Sequence, residues 1–216
     1  MILLLSIISA WRLRKLGESF SIKELPKFER VEPEQLKEML SEIRGGTSAE
    51  IVYKEFISPD EKLKMKYPSD WIEMKDEKIL EQIIPKEEAE KYGLKNLFLA
   101  QKFREGKYGQ LKVTELTLEE EETIELLIEK MKESNLQQGW EMEIIKSEIK
   151  DNEAIFETKY QKPDRLDTHS KEKIIIPESQ EEKKKAFLIV FMCFDKDWEE
   201  FEKEADDIIR SAHLID

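Results

Sequence analysis

Few side chains in this 216-residue chain have the type and spacing that chemistry requires. The nearest approach to a metal-ligand cluster is Asp164-x-x-Asp167-x-His169, two carboxylates and an imidazole within six residues of a polar loop. Imidazole and carboxylate are the ligands that divalent transition metals use, but this spacing defines no known metal loop, and the reading without a metal is the stronger. His213, the other of only two histidines, stands at the end of a helical stretch, where it interacts with the helix dipole. Acid–base chemistry would therefore rest on carboxylates and lysines. The glycine-rich phosphate loops, the HExxH zinc helix, the GxSxG elbow and the CxxC pair are absent from the sequence. The single cysteine, Cys193, lies in an apolar run with no second thiol to pair with, so a buried, inert thiol is expected. We expect no catalytic residue, no cofactor and no resident metal, and the chain reads as non-enzymatic.

The aromatic residues point to packing and to a contact surface. Trp71, Trp140, Trp198 and Phe201 are core candidates by type, while Trp11 and Trp71, beside segments of weak pattern, are also candidates to line an exposed groove. Met1 to Leu16 is an apolar run ending at Trp11 and followed by Arg12, Arg14 and Lys15. A secretory signal has its positive residues first and a small-residue cleavage site last, so this order does not fit one. As a helix, the run would reach about half of the ~30 Å hydrocarbon core of a bilayer. Three readings stand: it docks on its own domain or on a second copy, it half-inserts in a membrane with the basic residues at the headgroups, or it is the remnant of a longer anchor. Ile7, Ile8, Trp11 and Trp71 are the candidate partner or membrane contacts, and the expected location is cytoplasmic or membrane-associated.

The formal net charge of −13 argues against nucleic acid as a partner, because a phosphate backbone requires a basic surface. Charged residues are 39% of the chain, mostly Lys and Glu, and only three Asn occur, a bias of the thermophile kind. The expected partner is a protein, with self-association through the N-terminal segment as one form and peripheral membrane contact through residues 1–16 as another.

The elements that must position these side chains follow from periodicity. Residues 1–46 form an apolar segment, a connector and a short helix over 33–44, opened by Pro33 and closed by Gly45-Gly46. Residues 47–216 read as one domain. Ile51–Ile57 and Lys62–Tyr67 form a first hairpin, and Trp71–Met74 resumes the strand after Pro68. Residues 78–92 carry a mixed, partly helical pattern. Leu97–Phe103 and Gln110–Leu116 form a second hairpin around Glu105-Gly106-Lys107, and Trp140–Ile149 with Ala154–Tyr160 a third around Asp151-Asn152. Thr117 and Glu120 make a capping box for a helix over 118–135. Lys162–His169 reads as a polar loop and Lys173–Ile176 as a short strand. Ala186–Phe194 is nine consecutive apolar residues, the signature of a strand buried on both faces, and Asp197 with Glu200 caps the amphipathic helix that follows. Strands joined by tight turns are antiparallel, so the fold class is α+β, a central antiparallel sheet flanked by helices.

This arrangement resembles the PsbP-like family over roughly residues 51–214. The carriers are Tyr67-Pro68-Ser69-Asp70-Trp71 at the end of the first hairpin, the helix over 118–135, Phe156-Glu157-Thr158-Lys159-Tyr160, and a last strand and helix closing on Ile208 to Ser211. The family often has Phe after that Ser, where this chain has Ala212-His213. The resemblance implies an α/β/α sandwich that acts by binding partners. The expected function is a non-enzymatic protein-binding or scaffold module, with a membrane-tethered carrier of a small ligand or lipid as the alternative and a carboxylate- or metal-dependent hydrolase ranked below both.

Overall fold

In the computed structural model of the chain, the residues described are 52–74, 80, 84, 89, 93–178 and 184–215. The expected helix over 33–44 and most of 78–92 lie outside them. Two antiparallel sheets account for most of the fold. The smaller has the order β1-β2-β10, from β1 (Tyr53–Ile57), β2 (Leu63–Pro68) and β10 (His213–Leu214). The larger has seven strands in the order β3-β4-β5-β9-β8-β7-β6. These are β3 (Ile72–Glu73), β4 (Leu94–Arg104), β5 (Lys107–Thr117), β6 (Glu141–Lys150), β7 (Glu153–Gln161), β8 (Thr168–Ile175) and β9 (Lys185–Phe194). Two helices complete the described fold, α1 (Ile124–Gln137) and α2 (Trp198–Ser211).

All three expected hairpins form, β1–β2, β4–β5 and β6–β7, each antiparallel. The β4–β5 turn is two residues long, and both Glu105 (φ 50°) and Gly106 (φ 82°) are left-handed, the geometry that matches the twist of a tight hairpin. The apolar run of β9 occupies the centre of the large sheet, with both edges paired, to β5 and to β8, and with residues buried on both faces. Trp71–Met74 does not continue β2: after Pro68 the chain crosses to the large sheet, where β3 pairs with β4.

Alternation along β9 divides the core in two. Ala186, Leu188, Val190 and Met192 share one face with Ile124, Leu127, Ile128 and Met131 of α1. Phe187, Ile189, Phe191 and Cys193 share the other with Trp198, Phe201, Ala205, Ile208 and Ile209 of α2, and with Leu63, Met65 and Tyr67 of the small sheet. Gly109 of β5 lies on the α2 face, where a Cβ would come 3.2 Å from the Trp71 ring and 3.4 Å from Phe201. The described architecture is therefore dominated by antiparallel sheet, with one helix on each face.

One expected capping box is displaced, and the other keeps its position without its hydrogen bond. Helix α1 starts after Thr123, whose Oγ1 accepts a 3.3 Å hydrogen bond from the Leu126 amide, while Thr117 is the last residue of β5. The acidic residues between them fold into a turn, with Glu122 Oε2 accepting from the Glu119 amide at 2.8 Å. Asp197 does precede α2, but its side chain makes no capping hydrogen bond. The loop expected over 162–169 is shorter, because Thr168 and His169 already belong to β8, every residue of which is buried. Ser211 closes α2 onto β2: its Oγ accepts from the Lys66 amide at 2.9 Å and lies within reach of the Ile208 and Lys66 carbonyls.

Candidate functional site

The α2 face settles its charges. His169 lies between two carboxylates, Nδ1 2.9 Å from Asp195 Oδ1 and Nε2 2.9 Å from Glu157 Oε1. Its ring stacks on Trp198 with centroids 3.8 Å apart and planes 2° from parallel. Lys159 closes the outer side of Asp195 at 3.1 Å, and Lys146 that of Glu157 at 3.2 Å. Burial acts to raise the Glu157 and Asp195 carboxyls, but the hydrogen bonds from His169 and the lysines outweigh it and hold both below their ordinary values. Lys102 is paired with Asp70 and Glu204, each at 2.9 Å, and Lys173 donates to the Ala212 carbonyl at 2.7 Å.

The α1 face of the same sheet is different. Strand parity sends Gln110 and Lys112 of β5 to this side, between Gly109, Leu111 and Val113 on the other. By the same alternation β7 presents Thr158 and Tyr160, and β8 presents Thr168, Ser170 and Glu172. Gln101 of β4 pairs with Gln110, and Asn135 enters from α1. These residues form a continuous polar tract at one end of the face. Each has 6% or less of its surface exposed, and the half-buried Tyr108, two residues before Gln110 on β5, continues the tract.

Tyr160 Oη and Ser170 Oγ both donate to Glu172 Oε1, at 2.8 and 2.6 Å. Asn135 Nδ2 donates to the Met131 carbonyl at 2.8 Å. Nine buried side-chain atoms of the tract then have no hydrogen-bond partner: Gln101 Nε2, Tyr108 Oη, both amide atoms of Gln110, Lys112 Nζ, Asn135 Oδ1, Thr158 Oγ1, Thr168 Oγ1 and Glu172 Oε2. Elsewhere among the described residues only Glu157 Oε2, which faces Lys146, and Asp197 Oδ2 share that condition. A buried polar group without a partner costs about 1–3 kcal/mol, so the tract as it stands costs on the order of 10 kcal/mol. That is comparable with the whole margin of a folded domain, about 5–15 kcal/mol, so such a face requires hydrogen-bonding company.

Electrostatics follow the burial. Burial pushes the Lys112 ammonium down to about 8, against an opposing pull from the Glu172 charge. Burial also raises the Glu172 carboxyl to about 7, although Ser170, Tyr160 and Lys112 act to lower it. The Tyr108 hydroxyl is driven up by burial alone.

The residues expected from sequence stand elsewhere. Asp164 is exposed in a turn at φ 62°, and Asp167 Oδ2 accepts from Gln161 Nε2 at 3.0 Å. His169 points into the α2 face, so the three do not converge, and no group of three or more metal-ligating side chains gathers among the described residues. His213 lies past the helix in β10, with Nδ1 2.7 Å from the Ser211 carbonyl. Trp71 does not line an exposed groove: it is 2% exposed, edge-on to Phe191, and its Nε1 donates to Glu204. Cys193 is buried, and burial pushes its thiol up to about 12. Ile7, Ile8 and Trp11 lie outside the described residues. Among those described, no helix is long and apolar enough to cross a membrane. The tract itself escapes a linear reading because Gln110, Lys112 and Thr114 alternate with Leu111 and Val113, the pattern of a strand with one wet face.

An antiparallel sheet with α1 on one face and the closing helix on the other is a PsbP-like fold. The solution structure of cyanobacterial PsbP (CyanoP) from Synechocystis sp. PCC 6803 is similar to it with a TM-score of 0.55 at 15% sequence identity, covering 79% of this chain and 96% of that one. LpqN of Mycobacterium tuberculosis, described as involved in cell envelope biogenesis, aligns with a TM-score of 0.46 at 9% identity, covering 82% of this chain and 97% of that one. No protein-family model and no curated protein matches the sequence.

Proposed function

We propose that this chain is a non-enzymatic binding module, an α/β/α sandwich of PsbP-like fold, that takes a small polar ligand on the α1 face of its sheet. The observation that carries this reading is the concentration of nine unpartnered buried polar atoms on one face, while the opposite face pairs its charges. A face that served packing alone would be filled more cheaply with carbon. Binding is favoured over turnover because the tract holds no imidazole: Ser170 and Tyr160 both donate to Glu172 Oε1, and His169 is held on the opposite face between Glu157 and Asp195. Ligand-observed NMR of the full chain against a set of small polar molecules tests this, repeated with Gln110→Leu/Thr158→Val, which replaces three unpartnered atoms by carbon. Binders that the double variant loses support the reading; a set in which the variant loses none sinks it.

A protein partner is the second reading. Ile72 and Phe103, 58% and 66% exposed, lie diagonally on β3 and β4 at the edge of the same face. If this patch joins two copies, Ile72→Ser/Phe103→Ser shifts the sedimentation coefficient toward a monomer, and an unchanged value removes it as a self-association surface. We assign residues 1–16 the role of tether. Liposome co-sedimentation of the full chain against a chain beginning at Thr47 tests that role, and equal binding contradicts it.

A further inference from the structure

We propose that the polar tract selects a small hydroxylated monocarboxylate, with Lys112 binding the carboxylate and Gln110 and Glu172 binding hydroxyls. This rests on the ligand-capture reading above and adds the chemistry of the ligand. Lys112 of β5 and Glu172 of β8 stand in one cross-strand row, on either side of Val190 of β9. Neighbouring strands are about 4.8 Å apart, so two long side chains flank a short one across roughly 10 Å of sheet. The two poles do not satisfy each other: Lys112 Nζ and Glu172 Oε2 are both unpartnered.

Each pole specifies its complement. An ammonium offers only donors, and in a buried site an ionised acceptor suits it best. Among the described residues Lys112 is the one cation of the tract, and Glu172 stands across Val190 from it. A single carboxylate placed at Lys112 finds one counter-charge there, whereas a doubly charged phosphate would lack a second. Both Gln110 amide atoms, a donor and an acceptor, are free, as is the Thr158 hydroxyl. Hydroxyl groups, which both donate and accept, fit that mixture, and Glu172 Oε2 takes a hydroxyl proton. A few buried waters, each making about three hydrogen bonds, would satisfy the same atoms without any ligand, so the test must separate the two.

Thermal denaturation of the full chain at pH 7 with sodium D-gluconate provides it, beside D-glucose and sodium butyrate, which carry the hydroxyls and the carboxylate separately. Gluconate is expected to raise the midpoint saturably, and each half-probe to need at least about tenfold more for the same shift. Lys112→Met removes an unpaired charge, so it keeps the fold and loses the gluconate response. Glu172→Gln weakens the response about tenfold. Equal shifts from glucose and gluconate, unaffected by Lys112→Met, overturn the anion anchor and leave ligand capture standing. No gluconate shift up to about 10 mM overturns the ligand class. In that case binders lost by Gln110→Leu/Thr158→Val keep the broader reading alive, and an absence of such binders means the tract holds water only.

Discussion

On the α2 face of the large sheet, His169 is held between Glu157 and Asp195 and stacked on Trp198. On the α1 face of the same strands, Lys112, Gln110 and Thr158 are as deeply buried and have no partner. The same backbone carries both, since successive residues of β5, β7 and β8 point to opposite sides. Depth of burial therefore does not tell scaffold from site in this fold; pairing does. The α2 face is a finished core in which every deeply buried charge on a strand meets an opposite charge or a carbonyl. The α1 face leaves nine buried polar atoms without a partner, and on the ligand-capture reading it is completed by what it binds.

The largest effect that sharpens this contrast belongs to the finished face. Phe191 is fully buried against Trp71, Trp198 and Phe201, so Phe191→Ala should cost about 3–5 kcal/mol in urea unfolding. A loss under about 1 kcal/mol would mean that this face relaxes easily and is not a rigid scaffold. Next comes the charge cluster. His169→Leu keeps an apolar body against Trp198 but strips the imidazole from Glu157 and Asp195, and about 2–3 kcal/mol should be lost. If the same substitution proves neutral, the carboxylates find other partners and the pairing argument fails.

Titration separates the faces by sign. Glu157 and Asp195 are held below their ordinary values, so their contribution is present above those values and is lost as pH falls through the folded ones. Glu172 is raised to about 7 from 4.5, so the folded state binds that proton more tightly and stability falls as pH rises across that window. Lys112 is lowered to about 8 from 10.5, so the folded state releases its proton first and stability rises from 8 to 10.5. Denaturation across this range should show a shallow minimum near pH 7 to 8. Combining Lys112→Met with Glu172→Gln should remove it, and a profile unchanged by both would contradict the account. The smallest effect tests the helix itself: Thr123→Ala removes the observed cap of α1 and should cost about 1 kcal/mol, whereas Thr117→Ala should not act through the helix.

The scaffold was legible where local pattern and tertiary context agree. Nine apolar residues from Ala186 required a strand covered on both sides, and β9 is the central strand. Asp151-Asn152 and Glu105-Gly106 marked real hairpin turns. Capping patterns were less informative, because Thr117 is claimed by the β5–β9 ladder before it can cap a helix. The site was hidden for a related reason. Thr168 to Lys173 is entirely polar, and only its place between β7 and β9 makes it buried. The tract needs Gln110, Thr158 and Ser170 brought side by side across four strands, and no spacing within the chain encodes that register.

The most direct test is the change in unfolding free energy at pH 7 caused by Lys112→Met in the absence of any added small molecule. The account predicts stabilisation by at least about 1 kcal/mol, because the substitution replaces an unpaired buried ammonium with carbon and sulfur of similar length. Destabilisation of that size would mean that Lys112 is already satisfied within the fold, and that the α1 face is as finished as the α2 face.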